Sequence, residues 1–320
     1  MITTEEKQIS QENTVTNDAV TSNAKNLKAT SAPIWKPKNS KKKIDWIPAL
    51  FIASMHIGAL AAFFTFSWKA LLVCVVLHFL TGGVGITLTY HRLLTHRSFK
   101  VPKFFEYLLA IIGCLACQSG PITWVATHRL HHLESDHDSD PHSPLHGPFW
   151  AHMGWCLVSN PSLDSIEKKS RFAPDLTSDP VMVFIEKAHI VWTFLLAGLL
   201  YMWGGWPFVV WGIFVRTTLV YHCTWSVNSA AHIWGYQNYK TTDKSSNLWW
   251  VALLTYGEGW HNNHHAFQFS ARHGLKWWEF DATYLMIKTL EVLGLAKAIK
   301  IPSQQLLAAK FAPGVNASSV

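Results

Sequence analysis

The chain is short of charge. Only 15% of its 320 residues are Asp, Glu, Lys or Arg, against roughly 25% in a typical soluble domain. With 49% hydrophobic residues and 17 tryptophans, the composition excludes an ordinary water-soluble domain and points to a membrane protein. Cysteine is also scarce. The five (Cys74, Cys114, Cys117, Cys156 and Cys223) lie in or beside apolar segments. Cys114 and Cys117 form a lone C-x-x-C, without the second pair or thioredoxin-like context that a zinc or redox site needs. They read as buried thiols, and no disulfide framework is implied. Residues 1–44 lack an apolar core and lack Arg, so neither a secretory signal nor a plastid or mitochondrial transit peptide is supported. This Ser-, Thr- and Asn-rich stretch is expected to be a disordered polar tail. It ends in the basic run KPKNSKKK (36–43). The net charge of +7 fits a basic face toward anionic lipid or an acidic protein partner, or simply the flanks that orient membrane spans. Nothing points to nucleic acid.

What is present is apolar length. A bilayer span needs about 20 residues. Four runs qualify, 46–66, 70–90, 188–204 (the shortest) and 206–227. Two others, 104–118 and 247–256, are too short and read as interfacial helices anchored by Trp and Tyr. The predicted fold class is an all-α integral membrane protein with four transmembrane helices and a helical cap. Nearly all Lys and Arg fall in the N-terminal flank, in 91–183 and in the C-terminal third. The positive-inside rule then places both termini and the cap in the cytoplasm or its stromal equivalent. No second soluble module is visible.

Histidine is abundant, with 18 copies. HRLLTH holds His91 and His96 at the end of the second run. HRLHH holds His128, His131 and His132, and HNNHH holds His261, His264 and His265. His232, in NSAAH, follows the fourth run. With four spans all nine fall on one side of the membrane. H-x-x-H-H puts residues i, i+3 and i+4 on one helix face, so two such helices can turn six imidazoles inward. H-x-x-x-x-H does not share a face in an α-helix, which predicts a bend or distorted helix end around 91–96. Neutral imidazole is a metal ligand. Nine are too many for one ion, since zinc usually takes four, but they suit two ions with four or five each. Imidazole accepts Fe, Zn, Cu or Ni. Soluble di-iron bundles use Glu and Glu-x-x-His instead. Any single cluster could be an interfacial accident or a lone metal site; three on one side are not explained that way. Of the rest, His56, His78 and His222 are expected to be hydrogen-bonded helix residues. His137, His142, His146 and His152 are expected to be solvated loop residues, and His273 is left open. Asp136, Asp138, Asp140 and Glu258 are candidates to orient ligand rings, or else are solvated acids or partners of Arg92, Arg97 and Arg129. Arg216, ten residues into the fourth run, is a charge where charge is expensive and usually faces a bundle interior.

HRLLTHRSF, HRLHH, NSAAH and GEGWHNNHHAFQFSARHG together resemble the membrane fatty-acid desaturases that act at the Δ9 position, over about residues 45–300, with 301–320 as a C-terminal tail. The wording is more similar to cyanobacterial and plant forms than to animal acyl-CoA desaturases. The resemblance implies a di-iron centre held by the nine histidines, with Asn228 completing one iron through a water. It implies a bent acyl tunnel lined by Gln118, Trp124, Thr224 and Trp225; for the two tryptophans the plainer reading is interfacial packing. The implied reaction inserts a cis double bond into a saturated C16 or C18 chain. O2 is the co-substrate, the oxygen ends as water, and two electrons arrive from a separate carrier. No haem-binding cytochrome b5 module is seen, so ferredoxin or free cytochrome b5 is the expected donor; both are acidic, and a basic face would steer either. The implied location is a cyanobacterial thylakoid or plasma membrane, or the endoplasmic reticulum or plastid membrane of a eukaryote. Two rivals stand beside this reading. A membrane hydroxylase of the same metal class would return oxygen to the substrate. A histidine-rich metal transporter or sensor would place ligands inside the spans. CoA, a glycerolipid and acyl-carrier protein all remain open as acyl carrier.

Overall fold

A computed structural model of the chain describes residues 43–312. Nearly all of the expected N-terminal tail and the last eight residues of the C-terminal one lie outside them. Among the described residues the chain is helical, with isolated β-bridges and no sheet. Residues 301–312 join the packed region. The helix Gln304–Lys310 buries Leu307 beside Tyr239, Phe267 and Leu275.

Among the described residues three helices are long and apolar enough to cross a membrane: α1 (Trp46–Phe64), α2 (Trp68–Thr95) and a third stretch, His189–Ile233. The Asp45 carboxylate accepts the N–H of Ile47 at the start of α1, and the Ser67 hydroxyl that of Ala70 at the start of α2, satisfying donors that helix starts leave free. A wholly α-helical segment of 28 residues would be about 42 Å long at ~1.5 Å each; α2, wider and shorter where it is π-helical, still outruns a ~30 Å hydrocarbon core. Its far half can therefore carry residues out of the bilayer. That half, Phe79–Thr95, is π-helical. The hydroxyls of Thr89 and Thr95 donate to the carbonyls of Val84 and Tyr90, five residues back. Exposed aromatic and aliphatic side chains, among them Phe63, Phe64, Met202 and Trp203, give these helices an apolar exterior suited to lipid.

The 45-residue stretch is not one rod. Gly205 has φ 67° and ψ −158°, a conformation L-residues avoid, and Pro207 follows it. Leu200 Cδ1 sits 2.7 Å from where a Cβ on Gly212 would be. In an unbroken helix twelve residues span ~18 Å. The chain therefore doubles back at Gly205, and the predicted runs 188–204 and 206–227 lie on either side of it.

The shorter helices cover the far end of α2. Helix α3 (Lys103–Cys114) crosses α2 so closely that a Cβ on Gly85 would lie 2.9 Å from Gly113 Cα. Helix α4 (Pro121–Glu134) starts with Pro at its first position. Gly120 supplies no cap there. Instead Glu186, from helix α5 (Pro180–Lys187), accepts the N–H groups of Ile122 and Thr123 at 2.8 and 3.2 Å, putting negative charge at the positive helix end. Residues 104–118 and 247–256 yield only short helices, α3 and α6 (Trp249–Leu254); neither is long enough to span. Helix α7 (His261–Ala266) has under two turns and needs outside support. Asn262 Oδ1 accepts the backbone N–H groups of Asn238 and Tyr239. Asn263 bonds to Asn238, Asn247, Glu279 and the His273 carbonyl. The two asparagines of HNNHH are the struts of the turn that carries its histidines.

Candidate metal centre

The nine histidines converge at the cap end of the helices. Their ligand atoms form two groups, each within 4.8 Å: His91, His96, His128, His132 and His264 in one, His131, His232, His261 and His265 in the other. The H-x-x-H-H motifs are thus split. His128 and His132, at i and i+4, face the first group while His131 faces the second; in α7, His264 faces the first and His261 and His265 the second. The π-helix resolves the H-x-x-x-x-H spacing. No bend is needed, because i→i+5 bonding returns the chain to the same side after five residues, and the His96 N–H bonds to the His91 carbonyl at 3.1 Å. Of the two expected forms at 91–96, a bend or a distorted helix end, the structure shows the second, as a wide π-helical turn.

The donor geometry suits metal ions. Nε2 atoms approach to 3.1 Å for His91 and His264, 3.0 Å for His128 and His132, and 2.9 Å for His264 and His132. In the second group His261 and His232 stand 2.9 Å apart and His131 and His265 3.4 Å. Metal–nitrogen bonds of about 2.0–2.1 Å at right-angled to tetrahedral angles put neighbouring nitrogens about 2.8–3.4 Å apart. Burial pushes His96, His128, His132, His261 and His264 well below the ordinary imidazole range, so the rings are neutral, as ligation requires.

Carboxylates orient the rings from behind. His91 Nδ1 meets Glu258 at 2.6 Å, His131 Nδ1 meets Asp140 at 3.0 Å, His232 Nδ1 meets Asp136 at 3.2 Å and His265 Nδ1 meets Asp243 at 2.7 Å. With Nδ1 held in this way, Nε2 is left to face the centre. His131 shows the effect: burial lowers its pKa, but the Asp140 carboxylate beside it raises it overall. Three of the four candidate carboxylates do orient rings; Asp138 is exposed. The alternative arginine pairing holds only for Glu258, which also binds Arg92 at 3.0 Å. Arg97 and Arg129 pair with Asp175.

Several residues take parts the sequence did not show. Asp243 lies 22 residues before His265, with no spacing signal to link them. His142 is buried rather than solvated; it packs 4.3 Å from the His131 ring, and its N–H bonds to Asp140. His152, half-buried, bonds to Ser229 and His222, and His146 is half-buried; only His137 of that set is exposed. His273 is fully buried, 3.1 Å from Glu258, with its ring 4.5 Å from that of His264 and tilted to it by 35°. The expectation of hydrogen-bonded His56, His78 and His222 holds: His56 bonds to His222, and His78 to Tyr256. All five cysteines are free.

Two cavities adjoin the histidines. One of about 240 Å³ is lined by Gln118, Trp124, Thr224, Trp225, Asn228 and His128, with Phe51 and Ile52 of α1. The other, about 50 Å³, shares Trp124, His128, Thr224 and Asn228 and runs toward His78, Gly82 and Tyr256. Trp124 Nε1 donates to Gln118 Oε1 at 3.3 Å, and Gln118 Nε2 donates to Thr224 Oγ1 at 2.9 Å. All four expected tunnel residues line the larger cavity.

Fold and site together define a class: a helical membrane protein with room for two metal ions among imidazoles, beside an apolar cavity. The comparisons narrow this. The fatty acid desaturase family model matches residues 66–292. The chain is 52% identical to the sn-1 stearoyl-lipid 9-desaturase of Anabaena variabilis, covering 83% of this chain and 98% of that one. It is 49% identical to the sn-1 stearoyl-lipid 9-desaturase of Synechocystis, covering 86% of each. It is 47% identical to the acyl-CoA C20 Delta5-desaturase of Anemone leveillei, covering 83% of this chain and 88% of that one. This chain belongs to the fatty acid desaturase family, and it is an oxidoreductase. The hydroxylase and transporter readings are not favoured.

Proposed function

We propose that the protein is an acyl-lipid desaturase that places a cis double bond at Δ9 of a saturated C16 or C18 chain, at a di-iron centre held by the nine histidines. The observation that carries this reading is the pairing of five and four imidazole nitrogens with an apolar cavity whose wall includes His128. Similarity to two stearoyl-lipid 9-desaturases supports the position and the lipid substrate. Under this reading His91, His96, His128, His132 and His264 hold one iron, and His131, His232, His261 and His265 the other, with Asn228 reaching one of them through a water. The fold is read as four spans, the doubled-back 189–233 stretch counting twice, within a domain of about residues 45–300 flanked by tails. The centre lies on the cytoplasmic side of a thylakoid or plasma membrane. Ferredoxin or cytochrome b5 supplies the electrons.

Bound iron supplies the activation of O2 that an unactivated methylene demands, since its C–H offers general acid–base catalysis no acidic proton. The chain's own residues do the rest. Phe51, Ile52, Trp155 and Trp225 hold the acyl chain away from water. Gln118, Trp124 and Thr224 bond to one another where the two cavities meet, and so fix the bend that sets which carbon lies beside the centre. The carboxylates behind the rings keep the imidazoles aimed. Positioning on the order of 1 Å decides rate here.

The test is the fatty-acid profile of a desaturase-deficient host expressing this chain beside its His264→Ala variant. Cis-Δ9 monoenes from the wild type alone are expected, in glycerolipids. Hydroxylated acids would move the chain to the hydroxylase class. No product despite good expression and a compatible donor would overturn the reading.

A further inference from the structure

Arg216 meets backbone carbonyls rather than a carboxylate. Its side chain is fully buried. Nε donates to Gly212 O of its own helix, and Nη1 to Leu115 O and, at 3.4 Å, to Thr81 Oγ1. Leu115 closes the C-terminus of α3, where unpaired carbonyls carry the negative end of the helix dipole and a cation is favoured. Tyr221, five residues further along the same helix, donates its hydroxyl to Cys117 O at 2.6 Å. Two side chains of one helix thus hold two carbonyls of one turn.

That turn is strained. Cys117 has φ 59° and Ser119 φ 76°, left-handed values that persist in non-glycine residues only where the surroundings over-determine them. Between them sits Gln118, which joins Trp124 and Thr224 where the cavities meet. The clamp on carbonyls 115 and 117 therefore sets where the Gln118 side chain stands. A fully buried arginine inside a span is costly, and holding this turn gives it a task.

We propose that Arg216 and Tyr221 are positioning residues for regiochemistry: by clamping the strained 115–119 turn they fix the bend in the acyl cavity and hence the carbon that is desaturated. This rests on the desaturase reading above. Loosening the turn lets Gln118 move by a distance on the order of 1 Å, enough to misplace a substrate and bring a neighbouring carbon to the centre.

The experiment compares the wild type with Tyr221→Phe, which removes only the hydroxyl, and Arg216→Lys, which keeps the charge and loses the fork. Double-bond positions are read by mass spectrometry of dimethyl disulfide adducts of the total monoenes. Maleimide labelling of Cys117, located by peptide mass spectrometry, reports the turn independently of catalysis. The share of neighbouring positional isomers is expected to rise about tenfold in both variants, the scale set by loss of one buried hydrogen bond, with faster Cys117 labelling. Lower yield with an unaltered isomer pattern marks a merely structural role and overturns the proposal. Unaltered isomers with faster labelling overturn it as well, and leave the desaturase reading standing. Absence of monoenes from the wild type overturns the desaturase reading and this one with it.

Discussion

Replacing Asp243 by Asn removes one charge and almost no volume. The carboxylate accepts from His265 Nδ1 at 2.7 Å, while its other oxygen takes the Ser245 N–H at 3.0 Å and the Ser245 hydroxyl. Burial alone would raise the Asp243 pKa, but the His265 bond and the two from Ser245 hold it far below the usual range. It is therefore an anion tied to one ring. A hydrogen bond to a charged group contributes about 1.5–3 kcal/mol and a neutral one about 0.5–1.5, so Asp243→Asn loses about 1–1.5 kcal/mol of ring orientation. That is roughly tenfold in metal affinity, at the low end of the 10–100-fold typical of outer-shell partners; Asp243→Ala, which removes the bond altogether, belongs nearer the high end. The assay is iron per chain by elemental mass spectrometry after dialysis of detergent-purified protein against a graded chelator series. The variant is expected to lose one of two ions at about tenfold lower chelator, because only the four-imidazole group has been disturbed. Asp138→Asn, at an exposed site, should superimpose on the wild type. Loss of both ions together, or a curve unchanged by the mutation, would refute the division into two groups with carboxylate-oriented rings.

Three further outcomes follow from other contacts. Glu258→Gln leaves the fully buried Arg92 with half its anionic partners and loosens His91; breaking such a pair costs about 3–5 kcal/mol, to be seen as a lower thermal midpoint in detergent. Acid should weaken the centre. Burial lowers His265 and His273 from 6.5 to about 4, so between those values the unfolded chain binds protons that the folded one does not. Stability and iron retention are then complete above about pH 6.5 and drain as pH falls toward 4; thermal midpoints and iron content that stay flat from pH 7.5 to 4.5 would contradict this. Gly85→Val forces side-chain atoms into the backbone of α3, where even a Cβ would lie 2.9 Å from Gly113 Cα. Overpacking of about 1–3 kcal/mol should appear as reduced stability, while Gly198→Ala, where a Cβ meets nothing within 4 Å, should not differ from wild type.

Local chemistry alone determined much of this protein. Low charge and long apolar runs specify membrane helices because lipid offers backbone groups no partner outside the helix. The nine histidines, and three of the carboxylates behind them, were visible because ligand chemistry restricts residue type and spacing. The tertiary structure decided what depends on the meeting of distant segments. HRLHH could not reveal that His131 parts company with His128 and His132, since a helix face fixes direction and the crossing of helices fixes the partner. The π-helical turn that aligns His91 with His96 comes from a hydrogen-bond pattern with no residue signature. Asp243 carried no signal, His142 looked like a solvated loop residue and His273 was left open, because burial is a property of packing and not of the residue. Arg216 was recognisable as a costly charge in an apolar run, but only the packed fold brings it to the carbonyl of Leu115, one hundred and one residues away along the chain.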